Sequence, residues 1–201
     1  MLPVFAFGST PRLQVRTLLL QDARELLAVV LASRDELGRY MSWPRDLFDL
    51  EQARRFVKLS RDGWLAGRTL RLGIFERSTG VLLGSVEVDG IDFRRGQAEL
   101  GYWIRTDRCG RGYATEAANA MVRYGFETLR VHKIRADVAV GNSSSARVLA
   151  KLGFTHEGTL REDRPVGSIF VDHWRFGLLQ REYVARTVET DESAGRGSVR
   201  R

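Results

Sequence analysis

The run Tyr102-Trp103-Ile104-Arg105-Thr106-Asp107-Arg108-Cys109-Gly110-Arg111-Gly112-Tyr113-Ala114-Thr115-Glu116-Ala117 carries a strand pattern through a glycine-rich turn directly into a helix pattern. Such a junction aims unpaired backbone N–H groups and the positive end of a helix at one point, an arrangement that suits a phosphate or diphosphate. Most Gly-x-Gly turns only connect elements. This one is not a P-loop, because no Gly-Lys-Ser/Thr closes it. Nor is it a dinucleotide fingerprint, because Thr115 stands where the third glycine belongs. Farther on, Asn142-Ser143-Ser144-Ser145 opens a second helix pattern with an amide and three hydroxyls that can cap the first turn or take part in proton chemistry.

The elements that must position these groups follow an alternating plan. Leu13 to Leu20 has strand character, and Asp22 then caps or charges the first turn of a helix reading Ala23 to Leu31. Tyr40-Met41-Ser42-Trp43-Pro44 is a connector, and a second helix starts near Asp49. Thr69–Glu76, Val81–Ile91 and Gln97–Ile104, punctuated by turn residues, predict an antiparallel meander. Ala117, Ala118, Met121, Val122, Gly125 and Leu129 form the stripe of an amphipathic helix. Lys133–Val140 predicts a fifth strand, Ser143–Leu152 a helix, and Phe154–Arg161 and Phe170–Leu179 a sixth and seventh strand. The strand-helix-strand order around Trp103, Met121 and Ala136 implies a parallel pair inside a mostly antiparallel sheet, which is an α+β mixed arrangement.

Composition bounds the remaining possibilities. The chain has 201 residues, 43% of them hydrophobic and 28% charged, as expected for one domain with a sizeable core. A single cysteine excludes an internal disulfide, and neither a signal-peptide pattern nor a membrane-spanning apolar run is present, so a cytoplasmic protein is expected. The net charge of +7 comes from scattered arginines rather than a basic run interleaved with aromatics, which argues against nucleic acid as the partner. His132, His156 and His173 have no metal-ligand spacing, so no metal is expected. Residues 12–184 are expected to form the domain. Residues 1–11 form a lead-in that can add to a sheet edge or to a homodimer contact, and 185–201 are expected to form a flexible tail.

Taken together, Gly90-Ile91-Asp92-Phe93, Leu100-Gly101-Tyr102-Trp103, Gly112-Tyr113-Ala114-Thr115-Glu116-Ala117, Lys151-Leu152-Gly153-Phe154 and Val171-Asp172-His173-Trp174 resemble the GNAT superfamily of acetyl-CoA-dependent N-acetyltransferases. The resemblance is to its ribosomal-protein N-terminal (RimJ/RimL-type) branch. It implies a single GNAT-fold domain, with a seven-stranded, mostly antiparallel sheet, about four helices and a splayed fourth and fifth strand. It also implies that acetyl-CoA lies against the backbone of Trp103, Ile104 and Arg105. The diphosphate would lie on Arg108, Cys109, Gly110, Arg111, Gly112, Tyr113, Ala114 and Thr115. Cys109 stands where the family signature has Arg or Gln, leaving Arg108 or Arg111 to supply charge. Asn142 and Ser145 would face the sulfur.

Direct transfer to a primary amine needs a neutral amine and a stabilised leaving thiolate. The resemblance makes Ser145 the candidate for the thiolate side, against helix capping as the plainer role. Glu99 is the candidate base because it shares a strand face with Gly101 and Trp103. Glu87, Asp89 and Asp92 are further candidate acids, and Glu162 or Asp163 could compensate for Arg164, which stands where some relatives carry an acid. The acceptor is expected to be a protein N-terminus, or else an amino acid, polyamine or antibiotic. Leu37–Phe48 and Arg161–Ile169 would shape its pocket, with Tyr40 and Trp43 as candidate walls. A coenzyme A-binding module without transfer activity is the reading of a different class.

Overall fold

Hydrophobic alternation along the central strands and apolar stripes on the helices fix which surfaces must meet. The computed structural model describes residues 6–45 and 49–187. Its elements are β1 (Ala6–Ser9), β2 (Leu13–Arg16), α1 (Ala23–Leu37), α2 (Leu50–Leu65), β3 (Leu70–Glu76), β4 (Leu82–Asp92), β5 (Gln97–Ile104), α3 (Tyr113–Glu127), β6 (Lys133–Ala139), α4 (Ser143–Leu152), β7 (Thr155–Val166) and β8 (Ile169–Leu179). They build one sheet in the order β1-β2-β3-β4-β5-β6-β8-β7.

All neighbours run antiparallel except β5 and β6, whose parallel register covers only Gln97↔Lys133, Ala98↔Ile134 and Glu99↔Arg135. Beyond Glu99 the two strands part. β5 stays bonded to β4 through Ile104, and β6 stays bonded to β8 through Ala139. The sheet therefore opens between them, leaving the β6-facing backbone edge of Leu100 to Ile104 without a strand partner.

The two faces are covered separately. Met121, Val122, Ile134, Leu149 and Leu178 pack with α3 and α4 on one face; Leu26, Val30, Val57, Phe75 and Trp103 pack with α1 and α2 on the other. α2 begins at a capping box, in which the Asp49 carboxylate accepts the Gln52 N–H at 2.8 Å and the Gln52 side chain accepts the Asp49 N–H at 3.1 Å. α4 ends at Gly153, whose φ of 88° suits glycine and closes the helix.

Several sequence expectations shift. An eighth strand, β1, forms from the lead-in and extends the edge of the seven predicted strands. Residues 17–20 are not strand. Asp22 turns back to accept the Leu19 N–H at 2.7 Å and a two-pronged Arg16 contact at 2.6 and 3.0 Å, which ties off the chain as a tight turn before α1. α1 continues past Leu31 to Leu37. The sixth predicted strand runs past Arg161 to Val166, through most of the segment Arg161–Ile169 expected to shape the acceptor pocket, with the register shifting between Leu160 and Arg164 and a left-handed Glu162 at φ 48°. Residues 180–187 are helical, past the expected domain edge at 184, and Tyr183 stacks on Phe126 with ring centroids 5.0 Å apart. The rest of the expected tail, 188–201, and residues 1–5 lie outside the described residues, as do 46–48 of the expected acceptor segment.

Candidate active site

The gap between β5 and β6 opens into two cavities, of about 420 and about 470 Å³, one on either side of a shared waist. Tyr40, Met41, Tyr102, Trp103, Asn142 and Ser145 line both.

The first cavity contains the glycine turn. Gly110 and Gly112 adopt φ of 76° and 81°, a region that side chains other than glycine rarely occupy. Gly112 precedes α3 with no side-chain cap, so the first N–H groups of the helix keep their donor capacity. Ile104, Arg108, Cys109, Tyr113, Ala114 and Thr115 line this cavity. Arg105 and Arg111 are absent from its lining; Arg105 is turned onto Asp107 at 2.6 Å, which leaves Arg108 as the arginine of the turn that faces the cavity. The Cys109 sulfur lies 3.5 Å from the Arg105 carbonyl, and burial, with Asp107 and Glu36, pushes its pKa up. A thiol held protonated in this way is a poor nucleophile.

At the waist, Asn142 caps α4 by accepting the Ser145 N–H at 3.2 Å and the Ser144 hydroxyl at 2.8 Å. The Ser145 hydroxyl is thereby relieved of capping. It lies 3.0 Å from the Tyr102 hydroxyl, which also donates to the Ser145 carbonyl at 3.1 Å. Burial pushes the Tyr102 pKa up to about 12, so this phenol stays a proton donor at neutral pH.

Charged side chains line the second cavity. Glu87, opposite Gly101 in the β4–β5 register, lies beside a position where any side chain would press on its carboxylate at 2.9 Å. Burial pushes the Glu87 pKa up, and the neighbouring Arg71, which bonds its carboxylate, offsets only part of that shift. Glu99 also lines the cavity, but it is tied to Arg164 at 2.9 Å and Arg135 at 3.2 Å. Asp137, with a side chain 0% exposed, accepts from Arg164 at 2.9 Å and Arg175 at 2.8 Å. Burial raises its pKa, but Arg175, Arg164 and Arg135 together hold it below the ordinary carboxylate range. The acids Glu162 and Asp163 do not line the cavity, whereas Arg164 does. An aromatic wall closes one side: Trp43 packs 5.6 Å from Trp103 and 6.0 Å from Phe56, and Arg71 lies over Phe56 at 4.9 Å.

Comparison with known proteins decides the family. Residues 12–155 match the acetyltransferase (GNAT) domain model. The chain belongs to the GNAT acetyltransferase family. It is 33% identical over 174 residues to the uncharacterized N-acetyltransferase p20 of Bacillus licheniformis, covering 87% of this chain and 96% of the relative. It is 32% identical over 106 residues to a spermidine N(1)-acetyltransferase of Vibrio cholerae, covering 53% and 61%. RimL, a ribosomal alpha-N-protein acetyltransferase solved in complex with coenzyme A, superposes with a TM-score of 0.80 at 19% identity, covering 87% and 97%.

Acetyl-CoA is the co-substrate of this GNAT domain, and the residues present fit it. The unpartnered β5 edge suits an amide-bearing arm, and the uncapped glycine turn suits a diphosphate. When bound, acetyl-CoA supplies the thioester acyl group. Among the described residues no cluster of His, Cys, Asp and Glu is arranged to hold a metal ion, and no helix is long and apolar enough to cross a membrane.

The sequence did not single out the partnerships Tyr102–Ser145, Arg71–Glu87 and Arg164–Asp137. Tyr102 lies inside a quoted motif, but its partner is 43 positions away. Glu87 was one of several candidate acids, and the glycine opposite it that sets it apart is found only through the β4–β5 register.

Proposed function

We propose that the protein transfers the acetyl group of acetyl-CoA to the N-terminal α-amine of a protein or peptide, such as a ribosomal protein. The observation that carries this reading is the Ser145 hydroxyl, held at the waist between the two cavities and relieved of capping by Asn142. From there Ser145 donates a hydrogen bond to the departing thiolate sulfur, with Tyr102 as a protonated partner behind it. Glu87 accepts the proton lost by the attacking amine, directly or through one water. Its raised pKa brings it nearer neutrality, which improves a carboxylate as a base.

An α-amine, with a pKa near 8, needs less help to become neutral than a lysine or polyamine amine, with a pKa above about 10. Charge supports the same acceptor. Glu87, Glu99 and Asp137 already face Arg71, Arg135, Arg164 and Arg175, so a polycation finds no unpaired carboxylate there. The name of the RimL neighbour is consistent with this reading.

Thiol release from acetyl-CoA with a panel of free-N-terminus peptides, amino acids and spermidine tests it. Peptides are expected to give the highest kcat/KM, by about tenfold or more over spermidine, a gap of about 1.4 kcal/mol. Preference for spermidine would overturn the acceptor assignment. Coenzyme A binding without release on any amine would favour a module that binds without transfer.

A further inference from the structure

The glycine turn has little of its own to hold it in place. Its two glycines are free to adopt many conformations, Cys109 supplies no charge, and no side chain caps the helix behind it. Yet the turn is fastened from outside by a residue far away in sequence. The Arg12 guanidinium stands behind it: Nε donates to Glu116 Oε2 at 2.7 Å and Nη1 donates to the Arg111 carbonyl at 2.9 Å. Its Cζ lies 4.8 Å from the Tyr113 ring centre, and Nη2 is 3.3 Å from the place a side chain on Gly112 would occupy. Glu116 is fixed in turn by the Arg12 N–H at 2.9 Å and the Thr10 hydroxyl at 2.6 Å.

The Arg111 carbonyl and the Gly112 N–H belong to one planar trans peptide, so they point in opposite directions. Arg12 is not part of the cavity lining, whereas Gly112 and Tyr113 are. Holding the carbonyl on the Arg12 side therefore turns the Gly112 N–H away from Arg12, towards the cavity. We propose that Arg12 is a positioning residue for acetyl-CoA, locking the peptide between Arg111 and Gly112 so that its N–H faces the diphosphate. Arg12 also covers Glu116, the one acid in the first turn of α3, whose uncovered charge would repel that anion.

This rests on the placement of the diphosphate at the turn, so the experiment carries a separate arm for that. Calorimetric titration with coenzyme A is paired with kinetics on acetyl-CoA and on acetyl-pantetheine, which lacks every phosphate. Arg12→Ala is expected to weaken coenzyme A binding about tenfold or more, the scale of a lost hydrogen bond to a charged group, while kcat/KM with acetyl-pantetheine stays within about twofold. Arg12→Lys keeps the charge but cannot hold both the carbonyl and Glu116, so most of the loss should remain. Equal losses with both donors would make Arg12 merely structural, and full recovery by lysine would reduce it to a charge; either overturns the proposal. Arg108→Glu reverses the charge facing the cavity. If it weakens coenzyme A binding and Arg12→Ala does not, only the bracing role fails. If neither variant changes affinity, the placement of the diphosphate fails with it.

Discussion

The two halves of the site are built from different materials. The half proposed to hold acetyl-CoA consists mostly of backbone: an unpaired strand edge from Leu100 to Ile104, two left-handed glycines and the start of α3. The half proposed to receive the acceptor consists of side chains: carboxylates on β4, β5 and β6 balanced by arginines on β3, β6, β7 and β8, against a wall of Trp43, Phe56 and Trp103. Backbone recognition tolerates changes in side-chain identity and suits a fixed co-substrate. A balanced ion network takes its character from which residue faces which, and suits selection among amines. Ser145 and Tyr102 stand where the two meet, so variants at the waist should damage turnover most, and variants within one half should damage one substrate's kinetics.

Ser145→Ala removes the hydroxyl at the waist. Turnover should fall by about a hundredfold or more, the usual scale of acid-base contributions, with coenzyme A affinity changed little. Because Asn142 is the cap, the thermal midpoint should hardly move. A fully active Ser145→Ala enzyme would end the role assigned to it. Glu87→Gln confines the damage to the acceptor half and should lower kcat/KM for the amine by roughly tenfold to a hundredfold.

The pH profile sharpens the Glu87 assignment. A base works deprotonated, so activity falls as pH drops through its pKa; with that pKa raised by burial, the fall should begin above the ordinary glutamate range. Arg71→Ala removes the group that pulls this pKa down and should move the fall to still higher pH. Profiles of the Arg71→Ala and parent enzymes that coincide would detach Glu87 from the chemistry. The smallest effect expected is that of Asn142→Ala, a loss of about 1 kcal/mol of stability from the missing cap, measured by denaturant titration.

The same contrast explains how much could be seen in the sequence. The strand-turn-helix run from Tyr102 to Ala117 is contiguous, and its glycines announce the backbone geometry, so the walls of the first cavity were visible before any fold. The seven strands other than β1 were visible as apolar runs bounded by turn residues, with buried alternation clearest along β6. β1 was left open, since four residues of edge strand carry too little pattern to tell from lead-in chain. The extension of β7 to Val166 was hidden because Glu162, Asp163 and Arg164 are charged and carry no apolar alternation; Arg164 pairs with Val171 on β8 and bonds Asp137 on β6, and the Glu162 N–H donates to Asp172. Glu99 was placed on the cavity face by period-two reasoning, as it is in the fold, but nothing local reveals the two arginines that hold it. Glu87 gains its recessed position from Gly101 across the sheet, a pairing that only register discloses.

The acceptor assignment is tested most directly by a peptide that offers both kinds of amine, a free N-terminus and an internal lysine. After incubation with acetyl-CoA and the enzyme, fragmentation mass spectrometry locates the acetyl group. Acetylation of the α-amine, with the lysine left free and no product from the same peptide blocked at its N-terminus, is the predicted result. Acetyl on the lysine side chain, or equal labelling of the blocked peptide, would contradict it.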